Sequence, residues 1–194
     1  MAVVRYLTHP QVVIDPLVPV PDWGLSDVGR ARTEVLARSG KLAGTVLIVS
    51  SAETKATETA AILAPALKAP VLVCERMHEN DRSATGFLAP DAFEEAANWF
   101  FSHPSESFRG WERALDAQTR IVKEVDDALA EAPSGDVLLV GHGGVGTLLL
   151  CALAGLPIAR AHDQLPGGGC IFTFDRASRI VHHRWQTIEA FAGA

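Results

Sequence analysis

Two histidines stand where this chain could do chemistry. His9 follows an apolar run over 2–7 and precedes Pro10; His142 follows a second run over 137–140, inside Gly141-His142-Gly143-Gly144. A neutral imidazole is a nucleophile and a proton carrier near neutral pH, since its intrinsic pKa is about 6.5. A glycine-rich turn ahead of a helix offers unpaired N–H groups and the positive end of a helix dipole, which suits an anion such as phosphate. The plainer reading of a lone histidine is a satisfied or exposed side chain, and of the glycines a tight turn. Two histidines at equivalent strand ends favour a shared site, because ligands of open α/β sheets gather at the carboxyl ends of the strands.

A rival motif overlaps the second histidine. Gly141-x-Gly143-x-x-Gly146 satisfies GxGxxG between a strand and a helix, and Asp163 lies 22 residues after Gly141. That pattern is a dinucleotide fingerprint. Against it, residues 156–162 contain a proline and little β character, only 53 residues follow Gly141, and His142 places a polar ring inside the turn. The adjacent pair His182-His183 lies on an expected strand, where neighbours face opposite sides, so it cannot chelate as a pair.

The elements that must position these residues alternate. Strands are expected over 2–7, 45–50, 71–74, 136–140, 170–174 and 180–186. Helices are expected from Ser26 to just before Gly40, and over 54–67, 90–101, 111–132 and 143–154. Ser26 reads as a helix N-cap, and the four prolines within residues 10–24 as an extended surface loop. Strands alternating with helices of this length predict a three-layer α/β/α sandwich with a mostly parallel central sheet. The whole chain, 1–194, is expected to form one domain, with room for a helical insertion over 85–110.

Composition bounds the rest. The 194 residues are 48% hydrophobic and 21% charged, with a formal net charge of −6, which is globular and argues against a broad nucleic-acid or polybasic membrane surface. Cys74, Cys151 and Cys170 lack CxxC spacing and read as reduced core residues of a cytoplasmic protein. No targeting segment is expected at the N-terminus. The apolar stretch 137–159 is long enough to span a membrane, yet its five glycines, proline and histidine divide it into a strand, a turn and a buried helix.

Most of the chain resembles the histidine phosphatase superfamily, the phosphoglycerate-mutase-like proteins. The residues that carry the resemblance are Leu25-Ser26-Asp27-Val28-Gly29-Arg30-Ala31, then Ser50-Ser51-Ala52 with Lys55-Ala56 and Thr59-Ala60, then Met77-His78-Glu79, and Val140-Gly141-His142-Gly143. Each element is weak alone; their order and spacing are specific. The family opens on a strand ending in Arg-His-Gly, whereas this chain has Thr8-His9-Pro10. The family's second arginine is Lys55 here, and Asp15 stands where an asparagine is common.

The resemblance implies a phosphoglycerate-mutase-like fold and roles for particular residues. His9 would attack phosphorus and hold the phosphoryl group; His142, Lys55 and the Gly143 amide would stabilise charge on the transferring oxygens. Glu79 would protonate the leaving oxygen and then activate water, which requires its carboxyl to be raised in pKa by burial or a neighbouring anion. Thr8 supplies one neutral hydroxyl in place of a guanidinium fork, and Lys55 keeps the charge but loses the fork. Arg82, or else Arg5, would supply a compensating cation. No metal or other cofactor is required.

The expected function is therefore hydrolysis of a small phosphorylated molecule through a phosphohistidine at His9, in the cytoplasm, without nucleic acid or membrane. The alternative is a degenerate member that binds a phosphorylated or anionic ligand without turnover; mutase-type phosphotransfer and dinucleotide binding rank lower. Late apolar strands and exposed aromatics permit a homodimer. Trp99, Phe100, Phe101, Phe108 and Trp111 read as helix packing, or as a lid over a bulky leaving group that Arg109 and Arg113 would line. Asp15 would either meet a cationic part of the substrate or cap a turn.

Overall fold

The computed structural model describes residues 2–193. Its strands are β1 (Val3–Thr8), β2 (Thr45–Ser51), β3 (Val71–Cys74), β4 (Asp136–Gly141), β5 (Cys170–Asp175) and β6 (Val181–Thr187). The helices are α1 (Asp27–Arg38), α2 (Thr54–Leu67), α3 (Pro90–Ser102), α4 (Ala114–Glu131), α5 (Gly143–Ala154) and a terminal turn, α6 (Ile188–Ala192). One sheet runs in the order β3-β2-β4-β1-β5-β6. The first four strands of that order pair in parallel, and β5 and β6 complete it antiparallel.

The β-branched and aliphatic strands alternate their side chains between two cores, as the pleat requires. Tyr6, Leu47, Val49, Val137, Leu139, Phe172 and Phe174 pack on one face with Ile121 and Val125 of α4 and Val145 and Leu148 of α5. Leu7, Ile48, Leu138, Val140 and Ile171 pack on the other with Leu36 of α1, Leu63 of α2 and Ile188 of α6. The result is the expected three-layer sandwich. Ser26 caps α1 by accepting the Gly29 N–H at 3.2 Å, as its position predicted.

Two details differ from expectation. The helix expected from residue 111 starts at Ala114, because Trp111 turns into the core and donates its indole N–H to Thr85 Oγ1 at 2.9 Å. The thiols of Cys151 and Cys170 are buried, but Cys74, on the edge strand β3, is only half-buried.

Topology places the two histidines. Strands β1 and β4 are parallel neighbours, with Thr8 opposite Gly141 in the register. The residues that follow each strand therefore emerge side by side at the same sheet end, and the His9 N–H donates to Gly141 O at 3.0 Å.

Candidate active site

His9 sits half-buried in a cavity of about 440 Å³ whose other lining residues include Glu79, Asn80, Arg82, Gly143 and Gln164. Its Nδ1 lies 2.8 Å from the Pro10 carbonyl. A carbonyl only accepts, so Nδ1 carries the proton and Nε2 keeps its lone pair. Burial, the neighbouring His142 ring and the Lys55 ammonium push His9 down to about 3. The ring is thus neutral, the form a nucleophile needs.

His142 lies fully buried beside it, with ring centroids 5.3 Å apart and planes inclined at 65°. Its Nε2 is 2.8 Å from Ser51 Oγ and 3.6 Å from Glu53 Oε1, and its Nδ1 has no partner among the described residues. Burial lowers the His142 pKa, against the opposing pull of Glu53 and Glu79. The buried Tyr6 hydroxyl fixes the turn: it accepts the His142 N–H at 3.1 Å and donates to the His142 carbonyl at 3.2 Å.

Glu79 departs from expectation. Its carboxylate accepts the N–H groups of Gly144, Val145 and Asn80, each at 2.9 Å. Burial raises its pKa, but His142, Arg82 and these amides outweigh that and hold it below the usual carboxylate range. Three aimed donors at the positive end of α5 favour the ion over the acid. The raised pKa required of a resting general acid is therefore absent, and Glu79 itself occupies two of the helix-terminal amides expected to hold phosphate. The Gly143 N–H has no acceptor among the described residues.

Two residues expected to bind phosphate are committed elsewhere. The Thr8 hydroxyl accepts the Cys170 N–H at 2.9 Å and donates to Gln164 Oε1 at 2.6 Å, so its single proton is spent inside the protein. The Lys55 ammonium is bound by Glu53 and donates to Val20 O at 2.8 Å; it influences His9 electrostatically but does not line the cavity. Burial would raise Glu53, but His142 and Lys55 lower it to about 2. Glu53 Oε1 also accepts the Glu79 N–H at 2.8 Å, tying the two carboxylate-bearing segments together.

Arg82 does reach the site, with its guanidinium stacked 4.8 Å from the centroid of Phe93. Arg160, the other arginine on the wall, is ion-paired to Glu94 and Asp163, whereas Arg82 makes no ion pair among the described residues. Arg5 is excluded: it pairs with Asp136 at 3.0 Å, at the opposite end of the sheet. Asp15 caps a turn by accepting the Leu17 N–H at 2.9 Å. Phe100, Phe101 and Trp111 are core residues that also wall the cavity. Arg109 stacks on Phe108 and Arg113 pairs with Asp116, so neither lines it.

Three contributors escaped the sequence reading. Glu53 and Gln164 appear in no motif. Arg120 is buried, paired with Glu112 at 2.7 Å, and donates to the carbonyls of Arg76 and His78 at 2.7 and 3.0 Å, which holds the segment that delivers Glu79. The only sequence signal was the Glu53-x-Lys55 spacing, and it does not say that both groups are buried.

A family model described as histidine phosphatase superfamily (branch 1) matches residues 16–185. A glucosyl-3-phosphoglycerate phosphatase of Mycolicibacterium vanbaalenii is 34% identical over 155 residues, covering 71% of this chain and 66% of that protein. The match thus spans just under two thirds of that relative's length. Among solved structures, a mycobacterial glucosyl-3-phosphoglycerate phosphatase in complex with VO3 is 26% identical with a TM-score of 0.72, covering 96% of each chain. Bacillus stearothermophilus YhfR is 21% identical with a TM-score of 0.79, covering 94% of this chain and 95% of its own, a likeness of fold.

Proposed function

The chain belongs to the histidine phosphatase superfamily, and from that membership we propose that it hydrolyses a phosphate monoester through a phosphohistidine at His9. The observation that carries the reading is the 2.8 Å contact of His9 Nδ1 with the Pro10 carbonyl on the wall of the cavity: a carbonyl only accepts, so the proton sits on Nδ1 and Nε2 is left as the neutral nucleophile. In the first step Nε2 bonds to phosphorus as the ester P–O bond breaks, and the leaving oxygen takes a proton. A phosphoryl dianion seated beside Glu79 raises the Glu79 pKa, so the proton carrier forms as substrate binds. Glu79 then takes a proton from the water that displaces His9 from phosphorus. The same dianion favours the imidazolium of His142, whose Nδ1–H then donates to a phosphoryl oxygen, with Glu53 behind the ring as counter-ion.

The substrate in this reading is a small phosphorylated molecule. Glucosyl-3-phosphoglycerate, named for the relatives, is one member of the panel to test. The reading also takes the protein as cytoplasmic and independent of nucleic acid and membrane; among the described residues no helix is long and apolar enough to cross a membrane. The exposed Val71, Leu72 and Val73 of edge strand β3 support the homodimer, which light scattering tests. The second reading, ligand binding without turnover, draws support from the neutralised Lys55 and the spent Thr8 hydroxyl.

The deciding experiment compares phosphate release from alkyl, aryl and sugar phosphates by the wild type and His9→Ala, with mass spectrometry of the alkaline-quenched enzyme. Turnover that disappears in His9→Ala, with a phosphoryl adduct on the peptide holding His9, supports the hydrolase. Orthophosphate binding without release from any ester supports the binder.

A further inference from the structure

The position of the family's opening arginine is taken by Thr8, yet that threonine does not face the cavity. Its hydroxyl accepts the Cys170 N–H at 2.9 Å, so its own proton must go to another acceptor. Gln164 Oε1 lies at 2.6 Å and Cys170 O at 3.3 Å, which makes the glutamine oxygen the partner. That bond settles which way the Gln164 amide points: Oε1 toward Thr8, Nε2 away from it.

Gln164 Nε2 then lies over the start of α5. A Cβ built on Gly143 would overlap it, so glycine at that position makes room for the amide. The nitrogen has no acceptor among the described residues, and Gln164 lines the same cavity as His9 and Gly143. The neighbouring Gly143 N–H also has no acceptor among the described residues. A third bond steadies the segment, the Gln164 N–H donating to Asp163 Oδ1 at 2.8 Å.

We propose that Gln164 is a phosphoryl-binding residue of this site, its Nε2–H donating beside the Gly143 amide, and that Thr8 is the positioning residue that aims it. The pair replaces a charged fork with a neutral, oriented donor. The inference rests on the phosphoryl-binding reading of the His9 cavity. A neutral amide beside Glu79 binds phosphate more weakly than a guanidinium. Among the described residues it leaves Arg82 as the arginine of the cavity wall that makes no ion pair.

The test uses orthophosphate, titrated calorimetrically, together with steady-state kinetics on whichever ester the wild type turns over. The variants are Gln164→Leu, Gln164→Glu, Thr8→Val and Thr8→Ser, each with a melting curve. Gln164→Leu should weaken orthophosphate about tenfold, the size of one charge-assisted hydrogen bond, and lower kcat by ~10²-fold. Gln164→Glu, of nearly the same shape, should abolish binding, because it sets a carboxylate against the anion. Thr8→Val should reproduce the Gln164→Leu loss, Thr8→Ser should restore it, and Thr8→Val combined with Gln164→Leu should be no worse than Gln164→Leu alone. Wild-type affinity and kcat in Gln164→Leu and Gln164→Glu would overturn the assignment while leaving the phosphatase reading intact. A wild type that neither binds orthophosphate nor releases it would overturn both.

Discussion

The Lys55 ammonium is bound by the carboxylate of Glu53, and the two side chains are only 4% and 9% exposed. An ion pair this deep is sensitive to the loss of one member. Lys55→Met leaves the buried Glu53 carboxylate without its cation and should destabilise the fold by about 3–5 kcal/mol. Adding Glu53→Gln should recover most of that loss, and urea unfolding of the two single variants and the double variant measures it. A double variant no more stable than Lys55→Met would show that the pair is not energetically coupled.

The pH dependence of turnover follows from two depressed pKa values. His9, lowered to about 3, remains a neutral nucleophile well into acid, while Glu79 is held below its ordinary range and is mostly ionised at neutral pH. If protonated Glu79 delivers the leaving-group proton, kcat/KM for an alkyl phosphate should be largest on the acid side. It should fall about tenfold per pH unit above the Glu79 pKa. Glu79→Gln should remove that limb. A flat profile across pH 5–8 would mean that the leaving group departs without a proton from Glu79.

Stability should fall on acidification. His9 has a folded pKa of about 3 against an ordinary 6.5, so the unfolded chain takes up a proton that the native ring refuses. That part of the stability is complete above about pH 6.5 and is lost as pH falls toward 3. Glu53 adds a loss of the same sign, between its ordinary value of 4.5 and about 2. Thermal melting of the wild type should therefore weaken steadily below pH 6.5, and His9→Gln should melt with a shallower pH dependence between pH 6 and 4. Superimposable curves for the two proteins would refute the neutral state of His9.

Arg82 should matter twice. Its guanidinium over Phe93 faces the cavity and also helps hold Glu79 ionised. Arg82→Ala should raise KM and lower kcat/KM by ~10²-fold through loss of a charged donor. It should also move the alkaline limb of the pH profile upward, because Glu79 loses a cation. Arg82→Lys should restore the position of the limb more fully than the rate, since lysine keeps the charge and loses the fork. A rate loss with no movement of the limb would separate substrate binding from the tuning of Glu79.

Much of this molecule is legible in the chain itself. The alternating strands and helices, the Ser26 cap and the paired strand-end histidines follow from local pattern, because periodicity and capping depend on residues a few positions apart. What the cavity does to those residues depends on groups far away in sequence. Glu79 reads as an acid awaiting protonation until the Gly144 and Val145 amides, 65 and 66 residues on, are found bonded to it. Thr8 reads as a phosphate ligand until Gln164, 156 residues away, is found at its hydroxyl. Lys55 reads as a phosphate clamp until its burial against Glu53 is seen. The sequence determined which chemical groups are present and the end of the sheet where they gather. Their charge states and directions were decided only by tertiary structure, since desolvation and hydrogen bonding depend on what surrounds a group in space.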